Sequence, residues 1–182
     1  MEWLQTITGR IPDYAKDLRL NLEAVLHRSS LAPAEALGAA LAAAFAARSA
    51  PLVEALREAP SLDAAHVQAA LTAAALMGMN NVWYPYVEAA SDPELRTVRP
   101  ELRMNAYATH GGIERKAFEV YALAASIVGK CTFCIQSHAR LLRESGLGTQ
   151  QLKDVGRIAA VVNAVAQVLA AEQVTTPAAI AA

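Results

Sequence analysis

Cysteine is the scarcest reactive residue in this chain: among 182 residues it occurs twice, as Cys131 and Cys134. So few thiols argue against a disulfide-built scaffold. They also argue against a closed structural zinc site, which takes four ligands and usually two such pairs. Aromatic residues make up only 5% of the chain, and the Val, Ile, Thr and ring residues that fill a sheet are too few to build one. Basic residues form no run and the net charge is −1, which excludes the electrostatic footprint of a nucleic-acid binder. Residues 1–12 lack the apolar core of a secretory signal. A stretch free of charge spans residues 67–87, long enough for a bilayer, but it is filled with Ala rather than Leu and holds Gln68, Asn80, Asn81 and Pro85. It reads as a buried core helix. These absences predict a cytoplasmic protein with no nucleic-acid and no membrane partner. In that compartment a close Cys pair is catalytic or metal-binding more often than structural.

What the chain has in excess is alanine, roughly a fifth of all residues and well above ordinary usage. Ala combines the best helix propensity with the smallest side chain, so the expected fold is all-α: one domain over residues 1–182, a bundle of closely packed helices. Helices are expected over residues 14–27, 33–47, 52–58, 63–78, 114–128, 132–145 and 149–172. Pro33 suits a first turn, and Asp63 and Thr149 are candidate N-caps. Met77-Gly78-Met79-Asn80-Asn81 and then Pro85 are expected to break or kink the fourth of these helices. Residues 91–112, with Pro93, Pro100 and Gly111-Gly112, read as a long connection containing one helical turn. Gly129 is a natural helix stop in the left-handed position. Residues 175–182 are expected to form a frayed tail. A faint repeat lays Ala74-Ala75-Leu76-Met77-Gly78 on Ala125-Ser126-Ile127-Val128-Gly129, a shift of 51 residues. It raises the expectation of two duplicated helical halves, of which only the second keeps the thiols.

Cys131, Cys134 and His138 are spaced i, i+3 and i+7, which places them on one face of a helix. A metal bound there would have Cys131, Cys134, His138 and at best Glu119, a poor match to structural zinc, so a redox pair is the better reading. A disulfide across two intervening residues is feasible and would be a switchable bond. Which thiol attacks stays open on spacing alone. Cys131 sits at a helix start, where the dipole favours thiolate, whereas Cys134 has His138 at i+4, placed to take its proton directly or through a water. Of the four histidines, His27 lies near a helix end, His66 in a first turn and His110 in a loop, and only His138 shares the thiols' face. Glu119 is the last ionisable group before an apolar run and borders the stripe Ile113, Ala117, Val120, Tyr121, Ala124 and Ile127. It is either a solvated partner of Arg115 or Lys116, or a partly desolvated carboxylate that orients His138.

Several segments together resemble the alkyl hydroperoxide reductase D family, the alkylhydroperoxidases of the carboxymuconolactone-decarboxylase-like superfamily. They are Pro12-Asp13-Tyr14-Ala15-Lys16-Asp17 with Leu20-Asn21-Leu22, Met77-Gly78-Met79-Asn80-Asn81-Val82, Leu102-Arg103-Met104-Asn105, Phe118-Glu119, and the Cys131/Cys134/His138 spacing. The resemblance implies a helical homotrimer that reduces organic hydroperoxides and supports a two-cysteine peroxiredoxin. It implies electrons from dihydrolipoyl groups on a lipoylated acyltransferase, regenerated by dihydrolipoamide dehydrogenase, with no tightly bound cofactor and no metal. Carried onto this sequence, Cys134 matches the nucleophile that becomes sulfenic acid, Cys131 the proton donor and resolving thiol, and Glu119 and His138 the proton relay. The implied redox bond is Cys131–Cys134. One position departs: family members carry histidine immediately before the second cysteine, where this chain has Phe133. Ordinary core packing is the preferred expectation for Phe133, with contact to a lipoyl arm or alkyl hydroperoxide as the other. An alternative to the peroxidase is a non-enzymatic electron adaptor between a lipoylated protein and a peroxiredoxin.

Overall fold

Alanine-rich helices can approach more closely than helices of bulky residues, and the computed structural model, which describes residues 2–175, is built on that property. Its helices are α1 (Glu2–Thr8), α2 (Lys16–His27), α3 (Pro33–Ala46), α4 (Ala50–Arg57), α5 (Ala64–Ala90), α6 (Asn105–Ala108), α7 (Arg115–Val128), α8 (Thr132–Glu144) and α9 (Thr149–Thr175). Single 3-10 turns occur at Asp13–Ala15 and His110–Gly112. No strand occurs among the described residues. The all-α expectation is met.

Helices α3 and α7 lie side by side at the centre, and α5 and α9 each pack on both. Helix α2 covers α9, α8 packs on α7 and α5, and α4 sits on α3 with α1 outside it. The central contact is tight because Gly38 of α3 meets the ring of Tyr121 on α7, where a Cβ would collide with it. Tyr121 then donates its hydroxyl to Ala34 O at 3.0 Å. Residues 117–126 are buried on every side. The expected single stripe on α7 is therefore wrong: Ile113 and Ile127 are only half-buried, and α3, α5, α8 and α9 surround the helix.

Helix α5 corrects a second expectation, since it runs unbroken through Asn80-Asn81 and Pro85. Asparagine disfavours helix by bonding its own backbone. Here the amide of Asn80 points to Met104 Sδ at 3.7 Å, and that of Asn81 donates to Ala125 O at 3.1 Å. Tertiary contacts thus remove the competition. The 51-residue shift of the faint repeat lays one unbroken helix, α5, on α7, a turn and α8, so the two segments differ in helix continuity.

The turn that presents the thiols is a Schellman motif. Cys131 N–H donates to Ser126 O at 3.3 Å and Lys130 N–H to Ile127 O at 3.1 Å. The left-handed residue is Lys130, with φ 57°, while Gly129 is right-handed. Gly129 is needed for a different reason: a Cβ there would collide with the Asn81 side chain. At the last helix, Leu152 N–H donates to Gly148 O at 3.2 Å, so Thr149 is the first helical residue rather than the cap.

Among the described residues, Thr149–Gln173, rather than 67–87, form the helix long and apolar enough to cross a membrane. Its Val155, Ile158, Val162, Val165 and Leu169 are buried in the core. Residues 176–182 of the expected tail lie outside the described residues.

Candidate active site

Cysteine is small enough to act as a helix N-cap, and Cys131 does so for α8: its Sγ accepts from the backbone N–H of Cys134 at 3.2 Å. The two sulfurs are joined as a disulfide with Cα atoms 5.3 Å apart. Cys131 is wholly buried, and its Sγ lies 3.9 Å from Asn80 O on α5. Cys134, one turn on, borders a cavity of about 220 Å³ that His138, Tyr107, Met104 and Asn80 also line. The sequence-predicted face is real, and the cavity lies against it.

His138 is buried between two helices that hold both ring nitrogens. Nδ1 is 2.6 Å from Glu119 Oε2 on α7, and Nε2 is 3.1 Å from Met77 Sδ on α5. No hydrogen bond joins His138 to Cys134 among the described residues, so the direct proton path that i+4 spacing suggests is absent in the disulfide state. The two side chains face a shared cavity instead. Glu119 has no exposed surface. Tyr107 donates its hydroxyl to Glu119 Oε1 at 2.6 Å, and Arg115 Nε stands 4.0 Å from the same oxygen. Lys116 pairs with Glu35 at 3.0 Å. The solvated Glu119 considered from the sequence is thus excluded, and the His138-orienting carboxylate is what the structure contains.

The electrostatics follow from these contacts. Burial alone pushes the Glu119 carboxyl upward, but hydrogen bonds from His138 and Tyr107, and the charges of His138 and Arg115, outweigh it and hold it below its ordinary value. Glu119 is therefore an acceptor, and His138 Nδ1 carries a hydrogen. A thioether sulfur is likewise an acceptor, though a weak one. Both nitrogens of His138 thus face acceptors. The Tyr107 hydroxyl is pushed well upward, by burial first and then by its bond to Glu119, so it remains a donor.

Residues 93–177 match the carboxymuconolactone decarboxylase family. An alkyl hydroperoxide reductase AhpD from Rhodospirillum centenum is 46% identical over 171 residues, which cover 93% of this chain and 91% of that protein. The chain belongs to the AhpD family. Proteins of the same name from Bradyrhizobium sp. (strain BTAi1) and Coxiella burnetii are each 41% identical over 177 residues. Those alignments cover 96% and 94% of this chain and 97% and 99% of the two proteins. Against this AhpD background Phe133 is the position that sequence reasoning misjudged. It is 52% exposed and stacks on Tyr84, with ring centroids 4.2 Å apart, so it is not a core residue. Tyr107 was missed altogether. It lies in the irregular stretch, where no periodicity marks a buried side chain, and its rarity as one of five tyrosines was the only available signal.

Proposed function

We propose that this protein is a cytoplasmic thiol peroxidase that reduces organic hydroperoxides by cycling Cys131 and Cys134 between dithiol and disulfide. The observation that carries the reading is the placement of Cys134 in one cavity with an imidazole clamped by Glu119 and Met77. The names of the AhpD relatives point the same way.

In the reduced enzyme the Cys134 thiolate attacks the terminal oxygen of ROOH. The S–O bond forms as the O–O bond breaks, and the departing alkoxide takes a proton from His138 to leave as ROH. The Nε2 side of the ring, which faces only the weak thioether acceptor of Met77, is the side from which the proton is passed. A cavity of about 220 Å³ has room for the peroxide head and a relaying water. Proton donation should matter more than thiolate formation. Full ionisation of a thiol of ordinary pKa gains roughly 30-fold at pH 7, of which about tenfold is returned as lost nucleophilicity. A positioned acid contributes about 10²–10⁴-fold. Cys131 then condenses with the sulfenic acid, forming the disulfide and releasing water. A dithiol donor attacks Cys134, the sulfur that borders the cavity, and Cys131 leaves toward the N–H that caps α8. The net reaction is ROOH plus dithiol giving ROH, water and the donor's disulfide.

The donor we assign is a dihydrolipoyl group on an acyltransferase, recycled by dihydrolipoamide dehydrogenase, and the enzyme works as a homotrimer that also supports a two-cysteine peroxiredoxin. The test is hydroperoxide consumption with dihydrolipoamide as sole reductant, without peroxiredoxin. Turnover that is lost in Cys134→Ser, with Cys131→Ser leaving a sulfenic acid trappable by dimedone, supports the reading. Retained turnover in Cys134→Ser refutes it.

A further inference from the structure

The cavity beside Cys134 has a larger neighbour. An open groove of about 560 Å³ runs between the end of α5, the first turn of α8 and the irregular segment before α6. Its apolar walls include Trp83, Val87 and Val98. Two residues, Tyr84 and Phe133, line both the groove and the inner cavity. Their rings stack at 25° to one another, and neither belongs to the buried core. The stacked pair is therefore the partition between the groove and the reactive sulfur, formed on one side by the residue immediately preceding Cys134.

The groove's charges indicate what it accepts. Glu88 and Arg96 both line it, and neither forms an ion pair among the described residues. One of each sign leaves the walls with no net charge, so an anionic or cationic ligand gains little over a neutral one. An aromatic and aliphatic wall that is continuous with the peroxide-handling cavity fits an uncharged hydrocarbon chain.

We propose that the groove seats the chain of a neutral, long-chain alkyl hydroperoxide while its peroxide end passes the Tyr84–Phe133 partition to Cys134, making these two residues determinants of chain-length preference. The proposal rests on the reading of Cys134 as the peroxide-reducing thiol. Each methylene that enters the groove should raise kcat/KM by about 3- to 4-fold until the groove is filled.

The test measures kcat/KM for tert-butyl, n-hexyl and n-dodecyl hydroperoxides with dithiothreitol in excess. Wild type, Phe133→Ala, Val98→Glu and, as a control, Val82→Ala are compared. Phe133 and Val98 are half exposed and Val82 is 71% exposed, so none of the changes opens the core. The expected result is a wild-type preference for dodecyl over tert-butyl of at least 30-fold. That ratio should fall at least tenfold in Phe133→Ala and Val98→Glu and persist in Val82→Ala, which lies outside the groove. A wild type that consumes none of the three substrates refutes the peroxidase reading itself. Turnover without chain-length dependence, or a ratio unmoved by both groove variants, overturns the groove proposal alone. Two further outcomes also overturn it. A Val98→Glu protein of changed sedimentation mass assigns the groove to a second copy of the chain. A Phe133→Ala effect confined to the KM of dihydrolipoamide, measured in a parallel assay with that reductant in place of dithiothreitol, assigns it to the donor.

Discussion

A carboxylate without exposed surface is stable only when donors fill its lone pairs. Glu119 has Tyr107 on one oxygen and His138 on the other, with Arg115 nearby. Removing the tyrosine hydroxyl in Tyr107→Phe takes away a hydrogen bond to a charged group, and peroxide turnover should fall about tenfold. The sign of the pH effect follows from the same contacts. The folded Glu119 pKa is depressed, so the stability and function it supports are present above the unfolded carboxylate range and are lost as pH falls through the lower folded value. Tyr107→Phe removes one of the lowering influences, and the acid limb of the pH–rate profile should move to higher pH. An unmoved limb would show that Tyr107 only fills space. At this scale the thiols and His138 were legible because spacing alone puts them on one helix face. Met77 and Tyr107 were not, because their roles depend on how α5 and the segment before α7 fold back on that face.

Helix–helix contacts explain what periodicity did not. The sequence places α3 and α7 correctly to within a residue or so, but it does not disclose that Gly38 exists to admit the Tyr121 ring. Gly38→Ala should cost about 1–3 kcal/mol by overpacking, lowering Tm by about 2–4 °C for each kcal/mol, with thermal unfolding as the measurement. A wild-type Tm would mean that the α3–α7 contact is loose. The start of α9 offers a second test. Asp154 is buried and accepts from Ser30 N–H at 2.9 Å, Ser30 Oγ at 2.8 Å and Arg157 at 3.1 Å. Burial opposes its ionisation, but these bonds and one from Gln150 pull its pKa down to about 2. The stabilisation is complete above about pH 5 and is lost as pH falls from there through about 2, worth about 2 kcal/mol. In Asp154→Asn, denaturant unfolding at neutral pH should show that loss already, and the difference from wild type should shrink in acid. The break expected within α5 failed for a related reason: Asn80 and Asn81 spend their amides on neighbouring elements, which no local propensity can register.

At the scale of the whole molecule, composition was the strongest guide, because alanine excess and aromatic scarcity specify close-packed helices before any residue is placed. The expectation of a trimer comes from the family resemblance alone. Tyr86 is an exposed apolar residue on α5, and a trimer has such surface to bury. Sedimentation equilibrium should give three times the chain mass of 19.3 kDa, and a monomer at micromolar concentration would reject the trimer without touching the chemistry. That chemistry has its own direct test, a thiol count. The pre-reduced protein carries two thiols per chain, and one equivalent of tert-butyl hydroperoxide is added with no other reductant present. The account predicts that both thiols disappear together, with one disulfide and one tert-butanol formed per chain. Two thiols remaining after the peroxide has had time to react, with the peroxide unconsumed, would contradict it.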